Sequence, residues 1–178
     1  EELIESFLYS MEMDLNNKKY DKSNYEKYIY GSAEVVGLMC LKIFCKKESE
    51  YKSLVRYAKS LGSAFQKINF LRDLNSDYKD RGRLYFPDIN YTRLDNKEKK
   101  IIEKNILSDF NRGLIGIKKL PDEAKFGVYL TYKYYLNLFN KISRLDAEII
   151  KQKRIRISNF SKFIIFIKSF LLIKLNLI

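Results

Sequence analysis

Two-residue alternation of apolar and polar positions is sustained nowhere in this chain of 178 residues, and no stretch has the form of a β-hairpin. The pattern that remains is helical. Ser23-Asn24-Tyr25-Glu26 has the form of a capping box and predicts an apolar helix running to about Lys46. A second long helix is expected from near Glu50 to about Tyr78. Gly82 and Pro87 mark Lys79 to Tyr91 as a loop. Asp95-Asn96-Lys97-Glu98 is another capping box, opening a helix toward Leu120. Pro121 breaks the chain there, and Asp122 restarts a helix expected to reach about Ile150. With no internal repeat and no low-complexity linker, the expectation is one all-α domain, a helical bundle with its main chemical loop after the second long helix.

Within that second helix the polar positions are themselves periodic. Taking Gln66 as zero at about 100° per residue, Asn69 lies near 300°, Asp73 near 340° and Asp77 near 20°. Four side chains able to bind metal or phosphate thus share a stripe roughly 80° wide. Gly62 and Ala58 extend it backwards, at about 320° and 280°, and their small size would leave room beside the row. A plain solvated face is the simplest account of a lone Asp-x-x-x-Asp. Here Arg56, Ser60, Ser63 and Lys67 mark a separate face, about 60–120° round the wheel, as the solvent side. Arg72 beside Asp73 supplies a charge partner for an anionic ligand. A groove with carboxylates at one end suits a Mg²⁺–diphosphate group.

Composition narrows the chemistry. The chain has no His and no Trp, which excludes His-based acid–base catalysis, Ser-His-Asp triads and His-ligated zinc. Cys40 and Cys45 show no metal-site spacing and are expected as buried, reduced thiols of a cytosolic protein. Hydrophobic residues make up 46% and charged residues 31%, the balance of a folded globular chain. The net charge of +12 would attract nucleic acid, anionic lipid or a phosphorylated substrate alike.

The last stretch is distinct. No acidic residue follows Glu148, while Lys151, Lys153, Arg154 and Arg156 come close together. Phe160 to Ile178 is very apolar but interrupted by Lys162, Lys168 and Lys174, which point in three directions around a helix and argue against a transmembrane span. A C-terminal core helix is the expectation. The alternative is a segment lying against an anionic membrane surface at the cytoplasmic face.

These residues, taken in order, resemble the squalene/phytoene synthase family, the head-to-head prenyl transferases, and chiefly its bacterial carotenoid-type members. The resemblance runs through Met11-Glu12-Met13-Asp14-Leu15 and the segment from Tyr28 to Met39, Tyr-Ile-Tyr-Gly-Ser-Ala-Glu-Val-Val-Gly-Leu-Met. It continues through Leu61 to Gln66, Asn69-Phe70-Leu71-Arg72-Asp73, Asp77 and Arg83-Leu84-Tyr85-Phe86-Pro87, with weaker echoes at Leu120-Pro121, Tyr135 and Arg154 to Ser158 with Lys162. Three positions depart from the family pattern: Ser76 where Glu is usual, Lys67 for an apolar residue, and Glu34 for a small one. None removes a matched carboxylate.

The resemblance implies an all-α isoprenoid synthase fold around a central cavity, with two Asp-rich helices holding diphosphate groups through Mg²⁺, Mn²⁺ serving as a substitute. By that resemblance Asp73, Asp77 and Asn69 are metal ligands, Gln66 lines the same site, and Arg72, Arg83 and Arg154 face diphosphate. Tyr28, Ala58, Gly62 and Tyr135 are implied cavity-wall residues. The family's first Asp-rich motif has no match here, so the chain reads as the C-terminal portion of a longer enzyme, inactive by itself.

The expected reaction is Mg²⁺-dependent condensation of two prenyl diphosphates, geranylgeranyl diphosphate to phytoene, with a C30 squalene or dehydrosqualene synthase as the alternative. The absence of a glycine fingerprint after a strand favours the non-reductive outcome. Two readings of other classes compete: a non-catalytic relative acting in assembly, which predicts decayed acidic ligands, and a nucleic-acid-binding domain, which predicts a basic stripe or reading motif. The intact row speaks against the first and the missing motif against the second, so no nucleic acid is expected as a partner.

Overall fold

A computed structural model describes residues 1–16 and 19–178; among them no strand occurs, and Lys19 and Leu84 form an isolated parallel bridge. The described helices are α1 Glu2–Asn16, α2 Lys22–Ile29, α3 Val35–Phe44, α4 Glu48–Arg81, α5 Asn96–Lys118, α6 Asp122–Ser143, α7 Ala147–Ile150 and α8 Asn159–Lys174. The all-α expectation holds. α1 precedes the first element the pattern predicts. Its sequence carries an apolar stripe at helical spacing, Leu3, Ile4, Phe7, Leu8, Met11 and Leu15, yet Ile4, Leu8, Met11 and Leu15 are exposed and only Ser10 and Met13 are buried.

The helix predicted from Ser23 is capped two residues earlier. Asp21 is the cap, its carboxylate accepting the Asn24 N–H at 2.7 Å, and Ser23 lies inside the first turn. The helix is also interrupted: Tyr30–Glu34 forms a π-turn between α2 and α3, with the Ser32 hydroxyl donating to the Tyr28 carbonyl at 2.7 Å. Apolar spacing carries no signal for that extra residue.

α4 begins at Glu48 and runs past the expected end to Arg81, keeping the whole polar row on one helix. Gly82 stops it in the left-handed conformation at φ 66°, and the Arg83 N–H then donates to the Asp77 carbonyl at 2.8 Å. The capping box at Asp95 forms as predicted: its carboxylate accepts the Lys97 and Glu98 N–H groups, both at 2.8 Å. α6 ends at Ser143, short of the expected Ile150. Asn96 explains the break, donating to the Asp146 carboxylate at 2.9 Å and accepting the Ala147 N–H at 2.7 Å. α7 is thereby tied to the start of α5.

The core lies where α4, α5 and α6 meet. Ala64, Ile68 and Leu71 of α4 are fully buried with Ile106 and Phe110 of α5 and Ile142 of α6. Burying each of the larger side chains stabilises the fold by roughly 1.5–3 kcal/mol. The face expected to be solvated belongs partly to this seam. Ser63 is buried and Lys67 nearly so, because both bond Asp109 of α5, at 3.2 Å and 2.7 Å. Only Arg56 of that set is exposed. Gly62 likewise serves packing: a Cβ there would lie 2.5 Å from the Ala33 carbonyl oxygen of the π-turn.

Two further expectations are corrected. Cys40 is exposed and Cys45 half-buried, both free, because α3 turns Cys40 toward the cavity described below. The C-terminal helix is not a core helix. α8 lies along α6 and buries only Ile165 and Ser169, leaving Phe160 74% and Phe163 60% exposed. Among the described residues no helix is long and apolar enough to cross a membrane.

Candidate active site

The row on α4 is bonded internally. Asn69 donates its amide to the Gln66 side-chain oxygen at 3.3 Å, and Tyr135 of α6 donates its hydroxyl to the Asn69 oxygen, also at 3.3 Å. Asp73 takes the Arg72 Nε at 3.0 and 3.1 Å on its two oxygens, and the Arg154 Nε at 2.7 Å. Asp77, at the C-terminal end, is 6% exposed and pairs with Arg81 at 3.0 Å. Gln66 to Asp77 covers roughly 16 Å along the helix axis.

Electrostatics at the Asp77 end favour a cation. Burial, then the Asp73 carboxylate one turn away, push the Asp77 carboxyl above its ordinary range, with Arg81 and Arg83 pulling it back. The hydrogen bonds that Arg72 donates to Asp73 raise the Arg72 guanidinium as well, keeping it firmly charged. Among the described residues no group of three or more acidic or thiol side chains is poised to hold a metal ion. The row itself offers oxygen donors only, from Asp73, Asp77 and Asn69.

Arg154 comes from far along the chain and is placed by two anchors. The Tyr91 hydroxyl donates to the Lys151 carbonyl at 2.8 Å and the Asn75 amide to the Gln152 carbonyl at 3.1 Å. These pin the segment after α7 across α4, so that Arg154 reaches Asp73.

The Gln66 end of the row opens on an apolar cavity of about 560 Å³ between the π-turn, α3, α4, α5 and α6. Ala58, Gly62 and Gln66 line it, together with Val36, Tyr57 and Phe65. Asn69, Asp73 and Asp77 continue the row beyond its lining. Tyr135 and Tyr28, expected on the wall, are not part of it. Tyr135 stands behind Phe65, the rings stacked at 4.2 Å. Tyr28 is buried elsewhere because its hydroxyl needs an acceptor, which Asp14 supplies at 2.9 Å.

Asp14 is the residue whose role local sequence does not reveal. Its carboxylate accepts the hydroxyls of Tyr28 and Tyr85, the latter at 3.1 Å, and more loosely that of Tyr20 at 3.5 Å. Arg83 stands 3.5 Å away and also donates to the Asp14 carbonyl. Burial pushes all three phenols up, so they stay neutral donors. Tyr28 and Arg83 thus share one cluster, while Gln66, Asn69, Asp73, Asp77, Arg72, Tyr135 and Arg154 share the other. Arg81 was legible in principle, lying four residues after Asp77.

The geometry defines an all-helical protein with an acidic row at the end of an apolar chamber. The squalene/phytoene synthase family model matches residues 1–161, and the chain belongs to that family. It is 30% identical to a 4,4'-diapophytoene synthase of Staphylococcus haemolyticus, over 70% of this chain and 42% of that protein. It is 28% identical to the chloroplastic phytoene synthase 1 of Solanum lycopersicum, over 86% of this chain and 42% of that one. The chain therefore spans well under half the length of these curated relatives. A crystal structure of a dehydrosqualene synthase in complex with ligand has the same fold, with a TM-score of 0.76 at 20% identity over 97% of this chain and 65% of that chain.

Proposed function

We propose that the protein containing this chain condenses two allylic prenyl diphosphates head to head, using geranylgeranyl diphosphate to give phytoene without reduction. The observation that carries the reading is the row Gln66, Asn69, Asp73 and Asp77 leading out of an apolar cavity, with Arg72, Arg81, Arg83 and Arg154 around its acidic end.

The residues fit a hard divalent cation. Their donors are oxygens, and burial, then the Asp73 carboxylate one turn away, raise the Asp77 carboxyl, a setting that a divalent cation relieves. Asp73, Asp77 and Asn69 would hold Mg²⁺, with Mn²⁺ as its substitute. When bound, the ion neutralises diphosphate charge and eases its departure. The remaining work belongs to side chains. Arg72 and Arg154 present guanidinium donors to the anion, and their present grip on Asp73 keeps them pointed at the row. The apolar lining keeps water from the allylic cation left behind, and the faces of Tyr57 and Phe65 offer it cation–π contact.

The test is an assay of the full-length protein with geranylgeranyl and farnesyl diphosphate, with and without Mg²⁺ or Mn²⁺, analysing the hydrocarbon product. The expected result is a C40 triene-centred product from the longer substrate that vanishes on chelation. A C30 product alone would reassign the chain length, and no hydrocarbon from either substrate would overturn the reading.

A further inference from the structure

α4 and α6 run side by side in the same direction, and their contacts give the apolar cavity a long axis. Near the acidic row, Tyr135 of α6 bonds Asn69 of α4 and stacks on Phe65. At the other end Leu120, just before α6, shares a buried cluster with Leu41, Leu54 and Tyr57. Ala124, Gly127 and Thr131 line the cavity between these points, on one face of α6. From Tyr135 back to Leu120 is about 22 Å along the helix axis. That length suits a linear prenyl chain. Four zigzag backbone bonds of about 1.5 Å advance such a chain roughly 5 Å per five-carbon unit, so three units reach about 15 Å and four about 20 Å.

Gly127 differs from the other glycines of the cavity. Gly37, Gly62, Gly113 and Gly116 also line it, and an added Cβ at each would lie between 2.3 and 3.0 Å from an atom of a neighbouring element. Those four are glycine because the walls pack closely. A Cβ on Gly127 would meet no described atom within 4 Å. Glycine inside a helix costs stability relative to alanine, and here no packing demands it. What the missing side chain leaves is open cavity, about 12 Å beyond Tyr135. A larger residue would lean toward the start of α6, away from the row, into the space that a fourth unit needs.

We propose that Gly127 sets the length of prenyl chain the protein accepts, its bare backbone keeping the distal cavity open for the fourth five-carbon unit of geranylgeranyl diphosphate. Thr131, one turn nearer the row, lies beside the second unit, where chains of either length pass. The two positions therefore discriminate by depth. The proposal rests on the prenyl diphosphate reading of the cavity and adds to it the residue that selects the substrate.

The experiment measures binding of the thiolodiphosphate analogues of farnesyl and geranylgeranyl diphosphate, which occupy the site without condensing, to the full-length protein by calorimetry. Gly127→Leu is expected to weaken the C20 analogue roughly 10- to 100-fold, the scale for misplaced methylenes in an apolar pocket, and the C15 analogue by less than about threefold. Thr131→Leu should weaken both alike. Gly127→Ala should melt at a higher temperature than wild type, because the helix gains and nothing clashes. With the natural diphosphates, Gly127→Leu should turn the hydrocarbon product from C40 toward C30. Equal losses for both analogues in Gly127→Leu would overturn the proposal, as would no loss for either or a Gly127→Ala that melts lower. Analogues that discriminate as expected, with no hydrocarbon from the natural diphosphates, would leave the role of Gly127 standing and overturn the condensation reading instead. A wild-type protein that binds neither analogue overturns both.

Discussion

Arg154 and Asp73, far apart in sequence, meet at 2.7 Å, so a cation from the segment after α7 closes the acidic row of α4. Asp73 is in turn held by Arg72. If this end of the row receives diphosphate, the two roles separate in kinetics. Asp73→Asn should lower kcat by about a hundredfold or more, the scale for losing a preorganised electrostatic group. Arg154→Gln should act mainly on KM, raising it about tenfold, because it contacts the anion in ground and transition states alike. Steady-state assays of both variants in the full-length protein decide this. Asp73→Asn with wild-type turnover would remove the residue from the site.

The row itself was legible because it is local: four positions on one helix need only a helical period to come together. So was the capping box at Asp95, which lies wholly within four residues. What escaped was everything set by tertiary packing. Ser63 and Lys67 read as solvent-facing until Asp109 of α5 takes them up. Tyr28 is a cavity-wall residue by the family resemblance, yet its hydroxyl follows Asp14 away from the cavity. Gly62 looks like room for a ligand and is largely occupied by the Ala33 carbonyl. The apolar density of α8 matches a buried helix, and composition does not reveal that among the described residues α6 is its main cover.

The buried carboxyl of Asp77 should trade stability for function. Its folded-state pKa is raised, mainly by burial, so its contribution is fully present below the ordinary carboxylate range and is lost as pH rises through the folded value. Asp77→Asn cannot ionise and escapes that loss. The Arg81 partner it gives up is largely exposed and contributes little. At neutral pH the variant is therefore expected to melt at or above the wild-type temperature, with the difference narrowing toward pH 4, while turnover falls. Thermal unfolding followed across this range checks the sign; a variant that loses stability as pH rises, relative to wild type, contradicts it.

Gly62 should tolerate no side chain. Its added Cβ would meet the Ala33 carbonyl oxygen at 2.5 Å, and a backbone oxygen in a π-turn cannot swing aside as a flexible side chain can. Gly62→Ala is expected to cost about 1–3 kcal/mol, the range for overpacking, despite the gain in helix propensity. Urea unfolding should show a lower midpoint at unchanged slope. An unchanged or higher midpoint would mean that α4 and the π-turn separate easily.

A strong coupling outside the row is expected at Asp14. Tyr28 and Tyr85 are almost wholly buried, and the Asp14 carboxylate is the acceptor of both hydroxyls, with Arg83 balancing its charge. Asp14→Ala leaves buried donors without a partner and should cost about 2–4 kcal/mol, given 1–3 for each unsatisfied group and some relaxation. Tyr28→Phe removes one donor cleanly, so it should cost less when Asp14 is already Ala than in the wild type. A coupling energy of roughly 0.5–3 kcal/mol from the double-mutant cycle is the signature of direct contact. Additivity within about 0.3 kcal/mol would show that the phenols find water instead and that Asp14 is not their hub.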